Sequence, residues 1–190
     1  EELANLLGNP NQKIVRHSAR LLHERSTIGA VDNRSVAVLK NKKNGNATQT
    51  RLQGLWGLYT TGNLEENELI ELTKDKDEHM RIWAMKLLVD KGAASKVASK
   101  GLIEQAENEK SPLVRLHFAS IMRNLSAIDR WKVAEILSAS EDLSEDPVFP
   151  LMVWYGIEEL VKGDPGRSLK LAKASKLETL TEWIPRRIAE

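Results

Sequence analysis

Apolar residues recur along most of this chain at helical spacing. Met80, Trp83, Ala84, Leu87 and Leu88 follow i, i+3, i+4, i+7, i+8, and Val114, Phe118, Ile121, Met122 and Leu125 follow i, i+4, i+7, i+8, i+11. Such spacing predicts amphipathic helices that each bury one stripe. Two-residue alternation with β-branched enrichment, the mark of a strand, is found nowhere at useful length. The punctuation agrees: Ser111-Pro112, Asp146-Pro147 and Asp164-Pro165 each set a capping side chain before a proline suited to the first helical position, and Asp77 caps the helix carrying Arg81. Breaks are expected at Asn44-Gly45, Thr61-Gly62-Asn63, Lys91-Gly92 and Gly163-Asp164.

The pattern also repeats over a longer distance. Val15-Arg16-His17-Ser18-Ala19, Thr50-Arg51-Leu52-Gln53-Gly54, Met80-Arg81-Ile82-Trp83-Ala84 and Val114-Arg115-Leu116-His117-Phe118 each carry one arginine, with intervals of 35, 30 and 34 residues. That is the period of a helix-pair repeat. Six pairs are predicted within a single domain spanning 1–190, at about 2–25, 33–61, 65–91, 95–125, 129–162 and 165–189. In the fifth, Pro150 stands where arginine stood in the others. A single pair cannot bury its stripe alone, so successive pairs must stack on a shared core, and the expected fold is all-α, a curved right-handed α-solenoid. Ala19, Gly54, Gly57 and Ala84 are small enough to let neighbouring helices come close.

Composition narrows the chemistry. A chain of 190 residues can bury roughly 70% of its unfolded surface. Without cysteine it offers no thiolate nucleophile, zinc thiolate site or CxxCH haem attachment. The 28 basic and 27 acidic residues leave a net charge of +1, so no global field draws the chain to nucleic acid or anionic lipid. No stretch reaches the roughly 20 apolar residues of a membrane span, and the opening Glu1-Glu2-Leu3-Ala4 has neither an initiator Met nor the basic-then-apolar pattern of a signal peptide, from which a piece of a longer protein is expected.

No catalytic constellation and no metal site are expected. His17, His23, His79 and His117 lack the i, i+4 spacing of a two-histidine site, and the adjacent pairs Glu65-Glu66 and Glu158-Glu159 face different ways on a helix. Arg16, Arg51, Arg81 and Arg115, with Asp75 and Asp77, read as scaffold residues that bridge neighbouring turns, because the planar guanidinium suits such bridging. Trp154, Tyr155 and Glu158 lie on the most apolar helix, where aromatics serve either an inter-repeat core or a partner anchor. Arg186 and Arg187 near the C-terminus either close a helix dipole or grip a neighbour. These five are the candidate partner-binding residues. Lys40-Asn41-Lys42-Lys43-Asn44-Gly45 reads as a solvated connection.

With these residues in view, the Asp75 or Asp77, Met80-Arg81, Ala84 series, and Asn11, Val15-Arg16, Ala19, resemble HEAT repeats, where the arginine belongs to an inter-repeat hydrogen-bond ladder. Arg51 to Leu58, Asp77 to Leu88, Asp146 to Leu160 and Trp183 to Ala189 resemble, more narrowly, the HEAT segment of large planctomycete and verrucomicrobial proteins. That group joins a sugar-dehydrogenase-type β-propeller to a HEAT region and a c-type cytochrome domain, and its members are described as membrane-bound dehydrogenases or haem-binding proteins. The resemblance implies a non-enzymatic scaffold without cofactor of its own, a c-type haem in a neighbouring domain, the propeller and cytochrome domains as partners, and a periplasmic or cell-envelope location. The balanced charge and the lack of a long apolar stretch leave no nucleic-acid partner and no membrane insertion expected for this segment. Two other readings remain open: a HEAT-like DNA-binding or glycosylase domain using Trp56, Trp83 and Trp131, and a free-standing protein adaptor.

Overall fold

A computed structural model describes all residues, 1–190, and every regular element in it is helical. Twelve α-helices follow in order: α1 (Glu2–Leu6), α2 (Gln12–Thr27), α3 (Asn33–Lys43), α4 (Thr48–Thr60), α5 (Glu66–Leu72), α6 (Glu78–Val89), α7 (Lys96–Asn108), α8 (Pro112–Ile121), α9 (Ala127–Leu137), α10 (Phe149–Ile157), α11 (Pro165–Ala174) and α12 (Glu178–Ala189). Short 3-10 turns extend α8 over Met122–Asn124 and α10 over Glu158–Gly163. The contacts divide the chain into two compact units, Glu1–Trp83 and Ala84–Glu190.

In the first unit α1 packs on α2 and α3 on α4, and the pairs meet through α1 on α3 and α2 on α4. Like helices stack on like helices, which is a solenoid-like arrangement. Leu7, Leu22, Leu39, Leu55, Leu58 and Met80 form the buried interior. α3 and α4 approach closely at Gly54, where a β-carbon would lie 2.3 Å from the Lys43 amide nitrogen and 2.6 Å from the Leu39 carbonyl oxygen. Only glycine permits that contact. At the end of α4, Gly62 takes φ 69°, a left-handed turn that a side chain would strain.

The second unit repeats the scheme, with α7 on α9, α8 on α10, α10 on α12, and α11 on α12. Met85, Leu102, Phe118, Met122, Leu137, Phe149 and Ile157 are its largest fully buried side chains. Ser111 and Asp164 cap α8 and α11 as expected, accepting from the amides of Val114 and Arg167, with Pro112 and Pro165 in the first turn. Gly92, at φ 120°, supplies the turn before α7.

Two expectations need correction. The Asp146-Pro147 start is displaced: α10 begins at Phe149, and the Asp146 carboxylate accepts from the amides of Val148 (2.8 Å) and Phe149 (2.7 Å). A helix opening at Pro147 would put Pro150 where an amide must donate to the Asp146 carbonyl. Opening at Phe149 puts Pro150 at the second position, where no such bond is owed. The lysine run 40–43 is the last turn of α3, not a connection, and Lys43 is buried with its ammonium 2.9 Å from Glu68. Cations there complement the unpaired carbonyls of the helix end, and the lysine stem covers apolar surface.

Candidate interaction site

The recurrent arginines sit in the first turn of second helices, which aims the guanidinium back at the end of the preceding helix. Arg51 on α4 donates through Nε to the Lys43 carbonyl (3.1 Å) and through both terminal nitrogens to the Asp75 carboxylate (2.9 and 2.5 Å). Arg81 on α6 donates to the Asp75 carbonyl (2.8 Å). Arg115 on α8 donates through Nε to the Glu109 carbonyl (2.9 Å) and through Nη1 to Asp142 (2.8 and 2.9 Å). Arg51 and Arg115 share a device: one guanidinium closes a carbonyl at the end of the preceding helix and pairs with a carboxylate one repeat ahead.

Both acids of the predicted series are used, in different ways. Asp75 takes Arg51, while Asp77 accepts from the His79 amide (2.9 Å) at the start of α6 and makes a short hydrogen bond with the Thr48 hydroxyl. The Arg51 guanidinium beside Asp75 holds its carboxyl below the usual range. Burial pushes Asp77 upward, but the Thr48 hydroxyl and the His79 and Met80 amides outweigh it, and its carboxyl also titrates low.

Arg16 does not join this series. It is exposed and has no hydrogen bond or ion pair. Where Arg51 finds Asp75 24 residues on and Arg115 finds Asp142 27 residues on, the same offsets from Arg16 carry Lys40 and Lys43, which offer a guanidinium no carboxylate. Two arginines that the repeat phrase did not single out do similar work. Arg130 on α9 donates to the Leu125 (3.1 Å) and Arg123 (3.0 Å) carbonyls and pairs closely with Glu159. Arg167 on α11 donates to Glu135 (2.9 and 2.8 Å) and lies 5.4 Å over the Trp131 ring. The signal for Arg130 was Ser126-x-x-Asp129, a capped helix start immediately before it.

The candidate partner-binding residues converge at the end of the second unit. Trp154, Glu158, Trp183, Arg186, Arg187 and Glu190 line a cleft of about 200 Å³ between α10 and α12. Trp154 is 5% exposed and meets Trp183 edge to face, ring centroids 5.7 Å apart at 89°. That geometry suits the ring quadrupoles and locks the floor of the cleft. Arg187 bonds Glu190 (2.9 Å) and stands 3.9 Å from Glu158, while its Nε is buried with no acceptor. Arg186, exposed, approaches Glu182 at 3.5 Å. Tyr155 lies outside the cleft and is 49% exposed. Trp183 was absent from the predicted set, though its place three and four residues before Arg186 and Arg187 puts it on their helix face.

Charge is balanced within the cleft, and its chemistry is that of recognition: indole faces, one under-used guanidinium and two carboxylates. Glu158 and Glu159 face different partners, Glu159 being held by Arg130 and Arg123. No group of three or more His, Asp or Glu is placed to hold a metal, and no helix is long and apolar enough to cross a membrane. Comparison with known proteins yields no match: no family model fits the chain, and no curated protein or solved structure is significantly similar to it.

Proposed function

We propose that this small all-helical domain, which carries no obvious catalytic machinery, serves as a HEAT-type scaffold and protein-interaction module of a larger exported, cytochrome c-containing, dehydrogenase-like protein. Its partners are the neighbouring propeller and cytochrome domains, and the setting is the periplasm or cell envelope. One observation carries the scaffold reading: the arginine device repeated at Arg51 and Arg115, with Arg130 as a variant, in which a guanidinium ties a helix end to an acid of the following repeat. Such joints resist bending between neighbours, and a stack of repeats then holds whatever is attached at a set distance. The cleft at Trp154 and Arg187 is the surface offered to a partner.

The test has two arms. Reading several hundred residues on either side of this segment should reveal a propeller before it and a CxxCH domain after it, and the separately expressed neighbours should bind the chain in calorimetry, weakened by Trp183→Ala. Finding neither neighbour removes the redox-scaffold reading. Duplex DNA binding at about 50 mM salt that collapses by about 200 mM would replace it with a nucleic-acid reading, since counterion release makes such binding steeply salt-dependent. The packing of Trp56 against Trp83, centroids 4.8 Å apart, and the cover of Arg167 over Trp131 speak against a base-stacking use of those rings.

A further inference from the structure

The first unit contains a second concavity, remote in sequence from the cleft at Trp154 and unrelated to the scaffold reading. It is a slot of about 260 Å³ between α2 and α4. These helices run side by side in the same direction, because their C-terminal ends meet: the Ser26 hydroxyl and the His23 ring both reach the Thr60 carbonyl at 3.3 Å. Gln12 to Leu22 along α2 and Gln49 to Thr60 along α4 each advance about 15 Å, which sets the length of the slot. Ala19 leaves space open between Val15 and Trp56, while Gly57 lets Leu39 and Leu7 pack tightly beneath it, a β-carbon there lying 2.5 Å from Leu39. Leu7 and Leu22, both members of the buried core, form its floor.

The lining has a direction. Along the middle it is apolar, through Val15, Ala19, Leu22 and Trp56, whereas Gln12, Gln49 and Gln53 gather at the end where both helices begin. None of the lining residues carries a charge. A charged guest would lose its hydration there without gaining a counter-ion from the lining itself. An uncharged one with a hydrocarbon body loses nothing, and its polar end meets three amides able both to donate and to accept. Elongated apolar concavities with a few convergent polar groups are the usual form of a small-molecule site.

We infer that the α2–α4 slot binds a neutral amphiphile, a hydrocarbon chain ending in an uncharged hydroxyl, ester or amide, with the chain between Val15 and Trp56 and the head at Gln12, Gln49 and Gln53.

The test is a titration of the whole chain with 1-decanol and, separately, with decanoate at pH 8, followed by tryptophan fluorescence and by amide chemical-shift mapping. Saturable 1:1 binding of decanol is expected, with shifts confined to α1, α2 and α4, and at least tenfold weaker binding of decanoate. Ala19→Phe should abolish binding by filling the slot, and Gln53→Leu should weaken it while leaving the unfolding midpoint near that of the parent. If Ala19→Phe does not fold, the shift map of the parent chain decides. No saturable binding, shifts scattered outside these helices, or equal affinity for decanoate would overturn the assignment. So would sedimentation showing that a second copy of the chain occupies the slot.

Discussion

The contact at Gly54 permits a sharp test, because helix propensity and packing there pull in opposite directions. Replacing glycine by alanine inside an exposed helix gains about 1 kcal/mol. Here the new β-carbon would stand 2.3 Å from the Lys43 nitrogen, 2.6 Å from the Leu39 oxygen and 2.9 Å from the Lys42 carbonyl carbon, all backbone atoms of α3. Ordinary contact begins near 3.4 Å, so α3 and α4 must part by about 1 Å along this stretch. Neither backbone can rotate out of the way as a side chain would. Overpacking of this sort costs about 1–3 kcal/mol when side chains absorb it, and with backbone on both sides the upper end applies. The separation also stretches the bond from Arg51 Nε, three residues before Gly54 in the first turn of α4, to the Lys43 carbonyl. Net destabilisation of Gly54→Ala is therefore expected at about 1–2 kcal/mol, a fall in Tm of roughly 2–8 °C for a chain of this size. Urea and thermal unfolding followed by far-UV circular dichroism would measure it. Gly163→Ala is the control, since nothing lies within 4 Å of its β-carbon position, and it should be neutral or slightly stabilising. Were Gly54→Ala as stable as the parent, the claim that this glycine sets the α3–α4 distance would be wrong.

Other outcomes follow from the same geometry. Gly156→Ala should cost less than Gly54→Ala, because the three atoms nearest its β-carbon position all belong to the Met122 side chain, at 2.7 to 2.9 Å, and the thioether end of it can repack even though its Cβ cannot. Arg51→Ala leaves the half-buried Asp75 carboxylate without its cation and should cost about 2–4 kcal/mol in urea unfolding, whereas Arg16→Ala, which breaks no bond, should stay within about 0.5 kcal/mol. Asp75, Asp77 and Glu68 all have folded pKa values below their unfolded ones, so their stabilisation is full above the normal carboxylate range and is lost as pH falls through the lowered values. Tm measured from pH 7 down to pH 2 should therefore drop on the acid side, and Asp75→Asn should shallow that drop while lowering Tm at pH 7; an unchanged acid slope would contradict the assignment.

Much of the helical reading could be had from spacing and punctuation alone. The i, i+3, i+4 stripe of Met80, Trp83 and Ala84, and the Ser111-Pro112 and Asp164-Pro165 starts, depend on neighbours within a turn or two, and local chemistry decides them wherever the chain goes. The arginine period likewise marked Arg51, Arg81 and Arg115 as members of one series. Tertiary structure decided which of the series found partners, because an ion pair needs an acid brought near by stacking. Asp75 and Asp142 are there for Arg51 and Arg115, while lysines occupy the offsets that would serve Arg16. It also moved the start of α10 past Pro147, buried Lys43 beside Glu68, set Trp183 into the cleft with Trp154 and left Tyr155 outside. The slot between α2 and α4 belongs wholly to this second category. Ala19 is simply small in the sequence, and it borders a cavity only when two parallel helices are held apart by the residues around them.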